Sequence, residues 1–168
     1  MLHPLVEQLH FARKEFMRGI EGVTDEEARK RFFPMNCISW NVGHLAWQEQ
    51  RYWLTHMQGK TPIPEINPLV GYRQPASTPP LDEMLAAWHT LTALADEYLQ
   101  TLTSSSILQP FIYEGQPVDH SIASRLQRVL YHYWYHTGEN MAIRQLLGHQ
   151  NLPEFVGSIE EDAPYRPG

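Results

Sequence analysis

Six prolines, at positions 62, 64, 68, 75, 79 and 80, fall within one stretch of about twenty residues and split the chain into two helical halves. Proline lacks the backbone N–H that a helix or a central strand needs, so the spacing predicts an ordered surface crossover there. On both sides of it, apolar residues recur with a helical period. From Pro4 to Ile20, the residues Leu5, Leu9, Phe16 and Ile20 fall near one face, and Gly22 ends the segment. Thr24 with Glu27 three positions on predicts a capping box for a short helix that stops before Pro34. Ser39 is the expected N-cap of a second long helix closing at Gly59.

Beyond the crossover, Leu81, Leu85, Trp88, Ala95, Leu99 and Leu102 make one stripe of a third helix, and a fourth runs from Ser121 to Leu147 with Gly148 as its stop. Alternation around Glu114-Gly115 suggests a small hairpin, and the tail from Asn151 is expected to lie irregularly over the helices. Four long helices with little strand signal predict an all-α four-helix bundle with a short extra helix. At 168 residues the chain can bury one good core, so a single domain over residues 1–168 is expected.

Charge and composition narrow the partners. A net charge of -6 argues against nucleic acid, whose phosphates require clustered Lys and Arg. No apolar run reaches the roughly 18 residues of a membrane span, and the first residues show no basic region ahead of an apolar stretch. Cys37, the one cysteine, excludes an internal disulfide and fits a reducing compartment. A soluble cytoplasmic protein is the expectation.

The stretch YHYWYHTGEN, residues 131–140, carries the chemistry. His132 and His136 are four apart, so they share a helical face with Val129, Tyr133, Asn140 and Ile143. Two imidazoles at that spacing can bind one metal ion, as in helical zinc proteases, but those need Glu directly after the first His and here Tyr133 follows. A di-iron carboxylate bundle needs two Glu-x-x-His pairs, and only Glu7 with His10 qualifies. His44, in the middle of the second helix, can supply a third ligand. Gly43 and Gly138 lie inside predicted helices, where glycine costs about 1 kcal/mol against Ala, so close backbone approach is one reason for them. From the residues alone, two readings stay open: satisfied core histidines at a tight helix crossing, or a three-histidine metal site.

NVGHLAWQE around His44 and HYWYHTGENMAIRQLLGH from His132 together resemble the DinB/YfiT-like superfamily of four-helix-bundle metalloproteins. The resemblance covers essentially the whole chain and matches His44 to the family's first ligand, His132 and His136 to its His-x3-His pair, and Gly138-Glu139 to the dipeptide that trails it. It implies an up-down-down-up bundle and a divalent metal on three histidines, nickel or zinc foremost, with iron, cobalt or manganese as other candidates. It also implies frequent homodimers. Characterised relatives use low-molecular-weight thiols such as bacillithiol or mycothiol, which makes a thiol S-transferase acting on an electrophilic small molecule the first expectation. A metal-dependent hydrolase and a non-catalytic, stress-associated metal-binding protein are the alternatives.

Glu139 shares the face of His136 and His132 and is open to three roles: a fourth ligand, a partner that fixes an imidazole or bound water, or a general base. The second is preferred, because the family often has Gln there. Cys37 reads as a small buried residue in preference to a nucleophile. Trp40, Trp47, Trp53 and Trp88 read first as core, and Asn41 could orient a ligand from one turn before His44. The remaining histidines read as surface or capping groups.

Overall fold

Four long helical segments carry about half of the chain in the computed structural model, which describes residues 2–154 and 156–167. The first, α1 (Pro4–Ile20), begins with His3 accepting the Leu5 amide on its ring nitrogen and Pro4 in the first turn, where a missing N–H is harmless. Gly22, at φ +75°, turns the chain out of it. The predicted capping box is present: Thr24 and Glu27 exchange bonds at the start of α2 (Asp25–Arg29).

Helix α3 (Ile38–Glu49) starts earlier than the sequence suggests. Its N-cap is Cys37, which has extended backbone and makes no capping bond, while Ser39 lies inside the first turn with its hydroxyl 3.3 Å from the Cys37 sulfur. Fully buried Ile38 is the reason, since it anchors that turn in the core. The helix then continues as a π-helical segment, Gln50–His56, which the apolar pattern does not signal. Gly59, at φ +70°, closes the segment as expected.

The crossover is more regular than its prolines imply. It holds α4 (Ile66–Val70), with Pro68 at the third helical position, where the amide would have no intrahelical partner. Next come α5 (Leu81–Leu99), the antiparallel pair β1 (Pro110–Tyr113) and β2 (Gln116–Ser121), and α6 (Ile122–Leu146), capped by Ser121. The fold is therefore mostly helical with a small two-stranded sheet, not purely α. The tail is not wholly irregular either: it holds α7 (Ile159–Asp162), tied to α1 by Lys14–Asp162 and by Gln8 donating to the Ala163 carbonyl. Phe155 and Gly168 of the tail lie outside the described residues.

Helix α3 packs mainly on α5, and α1 on α6, with α3 also meeting α6. The core between them holds Phe16, Leu45, Trp53, Leu91 and Tyr133, all fully buried. Gly43 lets α3 come close: a Cβ there would fall 2.3 Å from the Met84 sulfur and 3.1 Å from Val70 Cγ1. Gly138 is different. Nothing lies within 4 Å of its Cβ position, so close packing does not account for it. No helix among the described residues is long and apolar enough to cross a membrane.

Candidate metal centre

Helix α3 supplies His44, and α6 supplies His132 and His136 one turn apart. One ring nitrogen from each lies within 4.8 Å of the others. His44 and His136 are buried and His132 is half-buried. The sequence-derived triad is thus brought together, and an ion could take one nitrogen from each ring.

Hydrogen bonds fix which nitrogens are free. The His44 Nδ1 lies 2.6 Å from the Val70 carbonyl, which can only accept, so the proton is on Nδ1 and Nε2 keeps its lone pair. The His136 Nδ1 lies 2.6 Å from a Glu139 carboxylate oxygen, which by the same logic leaves Nε2 bare. That Nε2 is 2.9 Å from the Nε2 of His132, whose own buried Nδ1 has no hydrogen-bond partner among the described residues. Two inward lone pairs and a third neutral ring make a donor set that fits a divalent cation.

Electrostatics keep the His44 and His132 rings neutral. Burial, followed by the neighbouring His136, lowers His44 to about 4, against the pull of the Val70 carbonyl. Burial, followed by His136, His44 and Arg128, takes His132 down to about 2. Neutral imidazole is the form that binds metal. The His44 ring is also clamped, stacked on Trp40 with centroids 4.4 Å apart and on Trp47 at 5.1 Å.

The proline-rich crossover positions the site from outside. Along one face of α3 and the π-helical segment, His44, Trp47 and Gln50 recur every three residues. They bond in turn to the Val70 carbonyl, the Asn67 side chain and the Ile63 backbone. Three rungs therefore hold the crossover antiparallel to the helix that carries the first histidine. Gly71 closes this contact; a Cβ there would sit 2.5 Å from the Asn67 carbonyl oxygen.

Asn41 takes a structural part. Its amide donates to Asn140 Oδ1 at 2.8 Å, linking α3 to α6 one turn from the triad. Cys37 is buried and bonded to Ser39 and the Ser77 carbonyl, away from the triad residues. Of the other histidines, His3 caps α1, His10 pairs with Asp96 and His149 with Glu27.

A cavity of about 600 Å³ opens beside the triad, walled by His44, His132, Trp47, Arg51 and Arg128 with four tyrosines. A cavity of similar volume, about 610 Å³, lies where the tail crosses α1, apart from the clustered histidines. Arg51 and Arg128 escape a search for ligands, yet Arg128 is four residues before His132 and so on its face of the helix. That spacing is a usable signal. The Val70 carbonyl has none.

A family model for the DinB superfamily matches residues 8–139, which include every residue of the triad and Glu139. The chain belongs to the DinB superfamily. No individual curated protein gives a significant match. Within this metal-associated DinB framework, the cluster of His44, His132 and His136 is where a metal ion could be held.

Proposed function

We propose that this DinB protein holds one divalent metal ion on His44, His132 and His136 and uses it as a thiol S-transferase. Nickel or zinc is the leading occupant, with iron, cobalt or manganese as alternatives, because neutral imidazoles suit all of them. The observation that carries the reading is that one ring nitrogen each of His44, His132 and His136 lies within 4.8 Å of the others, while the Nδ1 atoms of His44 and His136 are already engaged. Three ligands leave room for an exchangeable one. When bound on these three histidines, the ion would supply Lewis acidity that favours deprotonation of a thiol.

The protein's own residues do the rest. Glu139 orients the His136 ring, the Trp40–Trp47 pair fixes His44, and the adjoining cavity admits an electrophilic small molecule to the wall that His44 and His132 line. An up-down-down-up order of the long helices and a homodimer are part of the same proposal.

Elemental analysis of purified protein tests the site. We expect close to one divalent ion per chain, lost when His44, His132 and His136 are all changed to Ala. Unchanged metal in that triple variant would sink the assignment. Turnover is expected only with both an added low-molecular-weight thiol and an electrophile. Robust thiol-independent hydrolysis would instead favour the metal-dependent hydrolase reading.

A further inference from the structure

The cavity beside the triad carries charge that no carboxylate among the described residues pairs with. Arg13, Arg18, Arg29 and Arg166 each hold a carboxylate in a salt bridge. The arginines of this cavity do not. Arg51 donates to the Tyr113 hydroxyl at 3.0 Å and to His56 Nε2 at 3.3 Å, both uncharged acceptors, and its guanidinium lies over the Trp47 ring at 5.3 Å. Arg128 is exposed and makes no hydrogen bond or ion pair among the described residues. Among the described residues, the adjoining Arg125 hydrogen-bonds to His120 alone and leaves its buried Nε without a hydrogen-bond partner. Among the described residues, no Asp or Glu lines the cavity. The chain as a whole carries a net charge of -6, so this is a local reversal of sign at the mouth of the site.

We infer that this cavity binds small molecules through an anionic group, a carboxylate or a phosphate, gripped by Arg51 and Arg128. A guanidinium offers five N–H donors in a planar fork that matches either group. Arg51 spends two of them on Tyr113 and His56, so three remain, and all five of Arg128 are free. Stacking on Trp47 holds the Arg51 plane in place before a ligand arrives, which lowers the entropic cost of binding. Positive charge in a cleft with low-dielectric walls also concentrates anions there from an otherwise acidic surface. Because Arg128 is one turn from His132, the anionic end of a ligand would sit beside the histidines with its body against Trp47 and the tyrosines. The inference rests on the proposed metal reading only for which end of the ligand faces the triad; the grip itself does not need the ion.

The test titrates purified, metal-containing protein with phenylphosphate, phenylacetate and the neutral 2-phenylethanol at low ionic strength, read by calorimetry. At least one anion is expected to bind on the order of tenfold or more tighter than the alcohol, since a charge-assisted bond contributes that much. The stronger of the two identifies the group as phosphate or carboxylate. Combining Arg51→Gln with Arg128→Gln should erase the preference while elemental analysis shows unchanged metal. Equal binding of anions and alcohol, or an undiminished preference in the double arginine variant, overturns the inference. So does loss of anion binding in the triple histidine variant together with retention in the arginine variant, which places the anion on the ion. Protein that lacks metal yet shows arginine-dependent anion binding supports the inference and refutes the metal reading instead.

Discussion

A buried imidazole needs a partner for its N–H, and the triad meets that need unevenly. His44 has a backbone carbonyl, His136 has Glu139, and the His132 Nδ1 has none among the described residues. Glu139 is therefore the side chain on which the tautomer of His136 depends. Its charge also raises the pKa of Tyr135, so it faces both rings at once. Changing Glu139 to Gln keeps an oxygen that can accept from Nδ1–H, whereas Ala removes it. We expect Glu139→Gln to keep about one ion per chain, with affinity weakened about tenfold, and Glu139→Ala to approach the hundredfold end of such effects. Competition against a chelator measures both. Complete loss of metal in the Gln variant would make Glu139 a ligand, and retained metal with collapsed turnover would make it the base.

At the scale of elements, the two glycines separate packing from propensity. Both sit inside helices, yet Gly43 is pressed between Met84 and Val70 while Gly138 faces open space. Gly43→Ala gains about 1 kcal/mol of helix propensity and incurs overpacking of about 1–3 kcal/mol in a buried crossing, so net destabilisation is expected. It should also loosen metal binding, because the displaced Val70 carries the carbonyl that orients His44. Gly138→Ala should stabilise the fold by up to about 1 kcal/mol. Urea denaturation midpoints of the two variants check this; shifts in the same direction would show that the crossing is not tight. These positions also mark what the sequence could reveal. Helix periodicity located the long helices and the face shared by His132 and His136, because both follow from local spacing. Glu139 followed from the same spacing. The π-helical segment, the early start of α3 and the hold of the crossover on His44 depend on contacts between distant segments and on a backbone oxygen, so no residue pattern encodes them. The arginines of the cavity became informative only once the fold showed that no carboxylate among the described residues reaches them.

Across the whole molecule, one buried ionic network ties all four long helices together and sets how the two histidine-bearing helices face each other. Arg13 on α1 forms two parallel bonds of 2.8 Å to Glu49 on α3, and a third of 2.6 Å to Asp96 on α5. Tyr133 on α6 donates to Glu49 at 2.9 Å and accepts from Trp88 on α5 at 2.8 Å. Burial works against the charge of Arg13, but Glu49 beside it more than compensates and holds its pKa above the usual range. Tyr133 is pushed well above the usual phenol range, by burial first and by Glu49 next. Glu49 is five residues past His44, and Tyr133 adjoins His132, so the network fixes the register of α3 against α6 next to the triad. Removing Arg13 leaves the Glu49 charge buried against the neutral Tyr133 hydroxyl, and removing Glu49 leaves buried Arg13 with half-buried Asp96 alone, each at a cost of about 3–5 kcal/mol, whereas removing both together leaves neither charge buried. Glu49→Leu and Arg13→Leu should therefore each be strongly destabilising, and the double variant should cost far less than their sum. A double-mutant cycle from urea denaturation measures the coupling. Additive single effects would mean that the two charges are solvated independently and that the register of α3 and α6 is set by apolar packing alone.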